Sequence, residues 1–226
     1  LNIIKIRNKE GLNMCRIGIT SAQNMGKTTL INDMIKQWPN FKAAGNSYRE
    51  KAKQDKSVKL NKEGSEESQI IIRDALIDDL QQYDRKKDNV IHDRTLIDNL
   101  VYSMWLNANG KVSDLFIEQQ VPIIKQALTY YDIIFFIPMM ANYNIPIVPS
   151  VDGQRELDPV FREEIDNIFK AVLMDYWRKD GRTFFPNEDC PALIEVWGTR
   201  EERIQMIKLY INEKGSFYGE EDSLLK

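Results

Sequence analysis

The chain has 226 residues, 42% hydrophobic and 29% charged, with a formal net charge of −3, which is enough apolar side chain for one sizeable core. The acidic balance, pI near 5.4, argues against a broad nucleic-acid-binding face but leaves room for a local basic groove. One histidine and two cysteines, Cys15 and Cys190, fit free thiols in a reducing compartment better than a zinc site or a disulfide framework. No apolar run approaches the roughly 20 residues that span a bilayer, and the N-terminus has no signal-peptide pattern, so a cytoplasmic protein without a membrane partner is expected.

Residues 1–13, LNIIKIRNKEGLN, read as a leader or an added edge strand. The stretch that follows organises the chain. Met14 to Thr20 is a short apolar run with the look of a buried strand, Ser21 to Met25 a polar loop, and Gly26-Lys27-Thr28-Thr29 opens an amphipathic helix. Strand, loop and helix in that order fit the phosphate-loop pattern G-x-x-x-x-G-K-[ST], with Ser21 at the first glycine position. Ser21, Ala22, Gln23, Asn24, Met25 and Gly26 then offer successive backbone N–H groups to an anion, continued by Thr28 and Thr29 at the helix start. Lys27 adds a positive charge for the β- and γ-phosphates, and the Thr28 hydroxyl is a ligand for Mg²⁺. A Gly-Lys-Thr helix start in some other α/β protein is the weaker reading.

The first helix carries Leu30, Ile31, Met34, Ile35 and Trp38 at helical spacing and stops at Pro39-Asn40. Phe41 to Ala44 is short enough for a second strand, followed by Gly45-Asn46-Ser47-Tyr48-Arg49-Glu50. Residues 51–66 are highly charged and lack a sustained apolar period, as a mobile substrate-covering segment or a plain surface loop would. A helical pattern resumes over 67–84, with Gln69 and Arg73 on an adjoining face, where they contact a base or are simply exposed. Val90-Ile91-His92 is a strand that ends in Asp93-Arg94-Thr95. A carboxylate there, beside the phosphate loop, is placed to organise Mg²⁺, and the next arginine to bridge phosphate oxygens; a helix cap with a surface ion pair is the competing reading. Asp98, in the next helix's first turn, is accounted for by the helix dipole.

Residues 113–130 read as a helix with a kink or break at Pro122. Tyr131 to Pro138 is a continuous apolar run, the mark of a central strand covered on both faces. Asp152-Gly153 is a turn and Asp158-Pro159 a helix cap, which places Arg155 in a loop and Arg162 in a first turn. A cation in a first turn opposes the helix dipole, so a phosphate partner is suspected; together these residues look like a lid, about 139–165. Ala192 to Trp197 is the last strand, and Arg200 opens the last helix, stacked on an adenine or as ordinary αβ punctuation. The tail from 214 to 226 is expected to be disordered. Strands alternating with helices imply an α/β three-layer fold, a mostly parallel doubly wound sheet with ligands at the strands' carboxyl ends.

Ser21-Ala-Gln-Asn-Met-Gly-Lys-Thr-Thr-Leu30, Tyr48-Arg49, Asp93-Arg94-Thr95 with Asp98 and Tyr102, and Asp152-Gly-Gln-Arg155 with Asp158 and Arg162 together resemble the P-loop nucleoside and nucleotide kinases. Within these the chain is most similar to the AAA-type ATPase/kinase family that includes the nicotinamide riboside kinase domain of the NAD regulator NadR, a group with phage-encoded relatives. The resemblance implies a P-loop NTPase fold over 14–213, an arginine-bearing lid, and ATP with Mg²⁺ as phosphoryl donor. It implies that Lys27, Asp93, Arg94, Arg155 and Arg162 act on the transferring group, that Thr28 and Asp93 hold the metal, and that Asn46, Arg49 and Glu50 face the acceptor. Two departures matter: Ser21 stands where relatives have Gly, and Asn46 where they tend to have an acid. Without that acid a hydroxyl acceptor lacks a base, whereas a phosphate acceptor needs none. The expected function is therefore ATP-dependent phosphorylation of a nucleotide, a (deoxy)nucleoside monophosphate. The alternatives are a nucleoside or DNA-hydroxyl kinase and a P-loop ATP-binding switch. The partner is a small-molecule nucleotide or nucleoside, and a homodimer is compatible with it.

Overall fold

The structure, a computed structural model, describes residues 14–45, 47–84, 87–141, 143, 145–147, 149, 156–178 and 181–216. Five strands form one parallel sheet: β1 (Arg16–Thr20), β2 (Phe41–Gly45), β3 (Asn89–Asp93), β4 (Ile133–Phe136) and β5 (Ala192–Glu195), in the order β2-β3-β1-β4-β5. β1, β3 and β4 are buried along their whole length, as the continuous apolar runs require when helices cover both faces. The helices are α1 (Lys27–Gln37), α2 (Ser47–Gln54), α3 (Glu66–Gln81), α4 (Leu96–Ala108), α5 (Asp114–Leu128), α6 (Pro159–Met174) and α7 (Arg200–Ile207). None of the described helices is long and apolar enough to cross a membrane.

The chain leaves β1 for β2, two places away, returns through β3, and crosses to the other side of β1 for β4. A crevice opens at the carboxyl ends of strands where such a reversal occurs. The register sharpens its position: Gly45, Asp93, Ile19, Phe135 and Ile194 form one row across all five strands. Ile19, one residue before the end of β1, therefore stands beside Asp93, the last residue of β3, at the edge where the phosphate loop and Asp93-Arg94 leave the sheet. Gly45 suits this row for a steric reason. Its φ is +114°, and a Cβ there would lie 2.9 Å from the Asp93 main-chain oxygen, a contact no side chain makes.

Three expectations change. Pro122 lies inside α5 without breaking it; the helix runs on to Leu128. The charged stretch over 51–66 is not a plain loop: α2 reaches Gln54, Val58 is buried, and Lys59 N–H donates to Ser68 Oγ at 2.9 Å. Residues 214–216 are docked on the domain: Trp38 Nε1 donates to the Asn212 carbonyl, Asn40 to that of Lys214, and Asn212 N–H to that of Ser216. The leader 1–13 and the tail beyond 216 lie outside the described residues. Both cysteines are free thiols, Cys15 buried and Cys190 half-buried.

Candidate active site

Ser65, Thr95, Ser113, Asp158 and Thr199 cap α3 to α7 with their side chains, but α1 starts at Gly26, φ +83°, with no side-chain cap. Its first N–H groups are therefore left for an anion. Asn24, φ +60°, and Gly26 supply the two left-handed turns of the loop. Ser21 is absent from the left-handed positions, so glycine is not demanded there. Its hydroxyl donates to the Ala22 carbonyl and accepts from Lys27 Nζ at 2.9 Å. Lys27 also donates to the carbonyls of Ser21 and Ala22 at 2.7 and 3.0 Å. Burial, followed by the nearby Arg94 charge, lowers its pKa to about 7.

Thr28 Oγ1 donates to Asp93 Oδ2 at 2.9 Å. These are hard oxygen donors, the type Mg²⁺ takes alongside substrate phosphates and water. Among the described residues no group of three His, Cys, Asp or Glu is placed to hold a metal by itself. The pair thus fits an ion shared with a nucleotide.

Arg94 follows with φ +91°, in the left-handed region where a non-glycine residue is strained. Asp98 holds it there. The Asp98 carboxylate, 1% exposed, accepts from Thr20 Oγ1 at 2.5 Å, from Thr95 N–H at 2.9 Å and from Arg94 Nη1 at 3.2 Å. Asp98 is therefore more than a dipole partner: it closes a capping box with Thr95 and ties β1, α4 and Arg94 together. The Arg94 guanidinium lies 5.2 Å from both the Tyr48 and Tyr102 ring centroids and donates through Nε to Tyr48 Oη at 2.7 Å. Burial opposes its charge, but Tyr48, Tyr102, Asp98 and Asp93 hold it protonated. Arg49 Nε donates to the same Tyr48 Oη at 2.8 Å. One phenol oxygen thus accepts from two guanidinium groups.

These groups face one cavity of about 400 Å³, floored by the phosphate loop and walled by Tyr48, Arg49, Asp93, Arg94, Gln69 and Asn99. Gln23 also lines it, accepting from Tyr102 Oη at 3.0 Å. From the described part of residues 139–165 Ile145, Pro146 and Glu156 reach the cavity, and Asn24 Nδ2 donates to the Glu156 carbonyl at 2.9 Å.

Of the residues singled out in the sequence, Gln23 to Thr29, Arg49, Gln69, Asp93 and Arg94 meet at this cavity. Ser21 and Ala22 are buried behind it against Lys27. Four do not line it. Glu50 is exposed on α2. Arg73 pairs with Asp74 and donates to Gln120. Arg162, in α6's first turn, is buried and donates through Nη1 to the Ile145 carbonyl at 2.7 Å, while its Nε has no hydrogen-bond partner. Arg200 makes a two-pronged ion pair with Asp33 of α1 at 2.5 and 2.8 Å, which is the αβ-punctuation reading. Asn46 and Arg155 lie outside the described residues.

Sequence reasoning passed over Asn99 and Arg203. Asn99 is an amide on the buried side of α4 between Ile97 and Leu100, and that misfit was its signal. Arg203, buried, donates from α7 to the carbonyls of Met25 and Gly198 at 3.0 and 3.1 Å. The phosphate loop is thereby braced from the far end of the chain, a contact with no local signature.

Residues 16–179 match a family model described as AAA domain. No curated protein matches the chain significantly. The fold is similar to that of a NadR protein solved with NAD and AMP-PNP, with TM-score 0.58 and 14% identity over 87% of this chain and 49% of that one. It is similar to a deoxyadenosine kinase from M. mycoides solved with dCMP and dCDP (TM-score 0.58, 16% identity, 85% and 95% covered). A thymidylate kinase from Candida albicans follows (TM-score 0.54, 14% identity, 87% and 90% covered). The chain spans about half the length of the NadR chain. At these identities the likeness establishes the fold, a P-loop kinase-like α/β architecture.

Proposed function

The chain belongs to the AAA-domain family, and on that premise we propose that it is an ATP-dependent phosphotransferase whose acceptor is a nucleoside monophosphate. The observation that carries this reading is the two-ended cavity. At one end lie the uncapped α1 N-terminus, Lys27 and the Thr28–Asp93 pair; at the other, Arg49 and Arg94 meet on Tyr48. Asp98 is the carboxylate that pairs with the second cluster among the described residues. Two guanidinium groups converging on one phenol oxygen suit an acceptor that is itself an anion.

ATP would lie with its phosphates on the loop amides and Lys27. Mg²⁺, held by Thr28 and Asp93, would supply charge neutralisation at the β- and γ-phosphate oxygens. Arg49 holds the acceptor phosphate, already ionised at neutral pH, so no residue need remove a proton. The acceptor oxygen forms the new bond to the γ-phosphorus as the bond to the β,γ-bridging oxygen breaks and ADP leaves. Arg94, fixed by Asp98 and two phenol rings, spans both phosphates and stabilises the charge on the transferring group. Arg155 remains a proposed lid contributor. Chemistry in such a site is mostly positioning and electrostatics.

The test is the acceptor Michaelis constant. Each nucleoside is compared with its 5′-monophosphate in an ADP-release assay at saturating Mg-ATP, for the wild type and for Arg49→Ala. Monophosphates are expected to be the better acceptors, with the advantage lost in the variant. Equal use of nucleosides and monophosphates would overturn the reading.

A further inference from the structure

Lys27 is the cation of the phosphate loop, yet its ammonium is turned onto the loop itself. Nζ donates to the Ser21 carbonyl at 2.7 Å, to the Ser21 hydroxyl at 2.9 Å and to the Ala22 carbonyl at 3.0 Å. An ammonium has three N–H groups, so every one of them is engaged within the loop. The acceptors are all neutral oxygens, and Lys27, Ser21 and Ala22 are 7%, 0% and 0% exposed, which keeps water from trading places with them. A phosphate seated on the loop reaches Lys27 only when one of these bonds is released.

The three bonds are not equivalent. Two go to main-chain carbonyls, which any residues at positions 21 and 22 would supply. The third exists because residue 21 carries a hydroxyl. That hydroxyl gives its own hydrogen to the Ala22 carbonyl at 2.9 Å, so what it presents to the ammonium is a lone pair. The phosphate-loop pattern has glycine at this position, and glycine would leave the third N–H of Lys27 without a loop partner. Ser21 is not among the left-handed residues, so the backbone makes no demand there, and replacing the side chain acts on the hydroxyl.

We infer that the Ser21 hydroxyl is a lock on Lys27, an internal competitor that holds the ammonium back and sets the affinity for the donor nucleotide below what the same loop would reach with glycine. A charged phosphate oxygen is the stronger acceptor, so the exchange still favours bound nucleotide. It does so by less than in a loop whose third N–H is unengaged, because the free protein is held in a state that is not ready to bind. Ser21 is thus a positioning residue that acts through Lys27. This rests on the donor half of the proposed function, a phosphate loop that takes the phosphates of ATP, and adds a restraint to it.

The test is calorimetric titration at pH 6, below the Lys27 pKa of about 7, with Mg-ATP and with inorganic tripolyphosphate as probes, and phosphoryl transfer is assayed separately. Ser21→Ala should bind both probes about three- to thirtyfold more tightly than the wild type, the worth of a charged hydrogen bond reduced by the water that meets the freed N–H at the cavity. Ser21→Gly should do the same, and it serves if Ser21→Ala does not fold. A role confined to stiffening the loop predicts the opposite sign. The gain should also vanish when Ser21→Ala is made in Lys27→Ala, since the hydroxyl then has nothing to hold. Affinity unchanged or weakened in the Ser21 variants, or a gain that persists without Lys27, would overturn the inference. Transfer to monophosphates without any gain in binding overturns this inference alone. A gain in binding without transfer supports it and overturns the proposed function, and no binding of either probe by any form overturns both.

Discussion

Tyr48→Phe removes one oxygen and leaves the ring. That oxygen accepts from Arg94 Nε at 2.7 Å and from Arg49 Nε at 2.8 Å, while the ring keeps its cation–π contacts at 5.2 and 5.6 Å. A hydrogen bond from a charged donor contributes about 1.5–3 kcal/mol. Arg49 is only half-buried, so water replaces much of its loss. Arg94 is also held by Asp98, so its loss is felt mainly as freedom to rotate. We expect a net loss of about 1.5–3 kcal/mol at the acceptor end, or roughly ten- to a hundredfold in kcat/KM for the acceptor. Lys27 bonds to Ser21 and Ala22, and among the described residues no hydrogen bond joins Tyr48 to the phosphate loop, so the Michaelis constant for ATP should stay within about twofold. The assay is ADP release with each substrate varied in turn. Acceptor kinetics equal to the wild type, or an ATP constant that rises as much as the acceptor's, would refute the claim that Tyr48 organises the acceptor end.

Three further outcomes follow from the same geometry. Lys27 has its pKa lowered to about 7 by burial and by Arg94; bound phosphates favour the ammonium form, so Mg-ATP binding at pH 8 should take up a proton, seen as a buffer-dependent heat in calorimetry and absent in Lys27→Ala. His92 is buried edge-on to Tyr83 and Tyr131, and burial, with Arg16 nearby, lowers its pKa to about 3. The folded chain refuses a proton that the unfolded chain binds below about 6.5. The His92 contribution is therefore fully present above that pH and is lost as pH falls toward 3; His92→Phe should unfold at lower pH than the wild type in an acid titration followed by circular dichroism. Arg200→Ala breaks an exposed ion pair with Asp33, so it should leave the thermal midpoint nearly unchanged and ATP affinity unchanged, whereas a tenfold loss of ATP affinity would return Arg200 to the nucleotide site.

What was legible in the sequence was what a local pattern encodes. The continuous apolar runs at 14–20 and 131–138 became β1 and β4, Asp158-Pro159 capped α6 as its residue types dictate, and the Gly-Lys-Thr turn fell at the sheet's carboxyl edge. Thr28 and Asp93 met as their motifs implied, because the register of β1 against β3 brings the two strand ends within one residue of each other. What a local pattern could not encode depends on side-chain partners far away in the chain. Arg200 was open to an adenine or to ordinary αβ punctuation, and Asp33, on α1, decides where it points. Arg162 was read against the helix dipole, and its bond to the Ile145 carbonyl has no local signature. Pro122 removes one hydrogen bond from α5, and the tertiary packing of Phe116, Ile124 and Leu128 outweighs that loss. Gln69 was singled out on its helix face and Asn99 was marked by an amide among apolar neighbours, but the hydrogen bonds between them exist only once α3 and α4 are side by side.

The most direct measurement follows the label from γ-³²P-ATP after incubation with Mg²⁺ and nucleoside monophosphates, nucleosides or a short oligonucleotide, with products separated by chromatography and Lys27→Ala as control. The account predicts label in the diphosphate of the accepted nucleotide, absent from the control; the ADP left by the donor carries none of the γ-label. Label only in inorganic phosphate, in a nucleoside-derived monophosphate or in the oligonucleotide would contradict it.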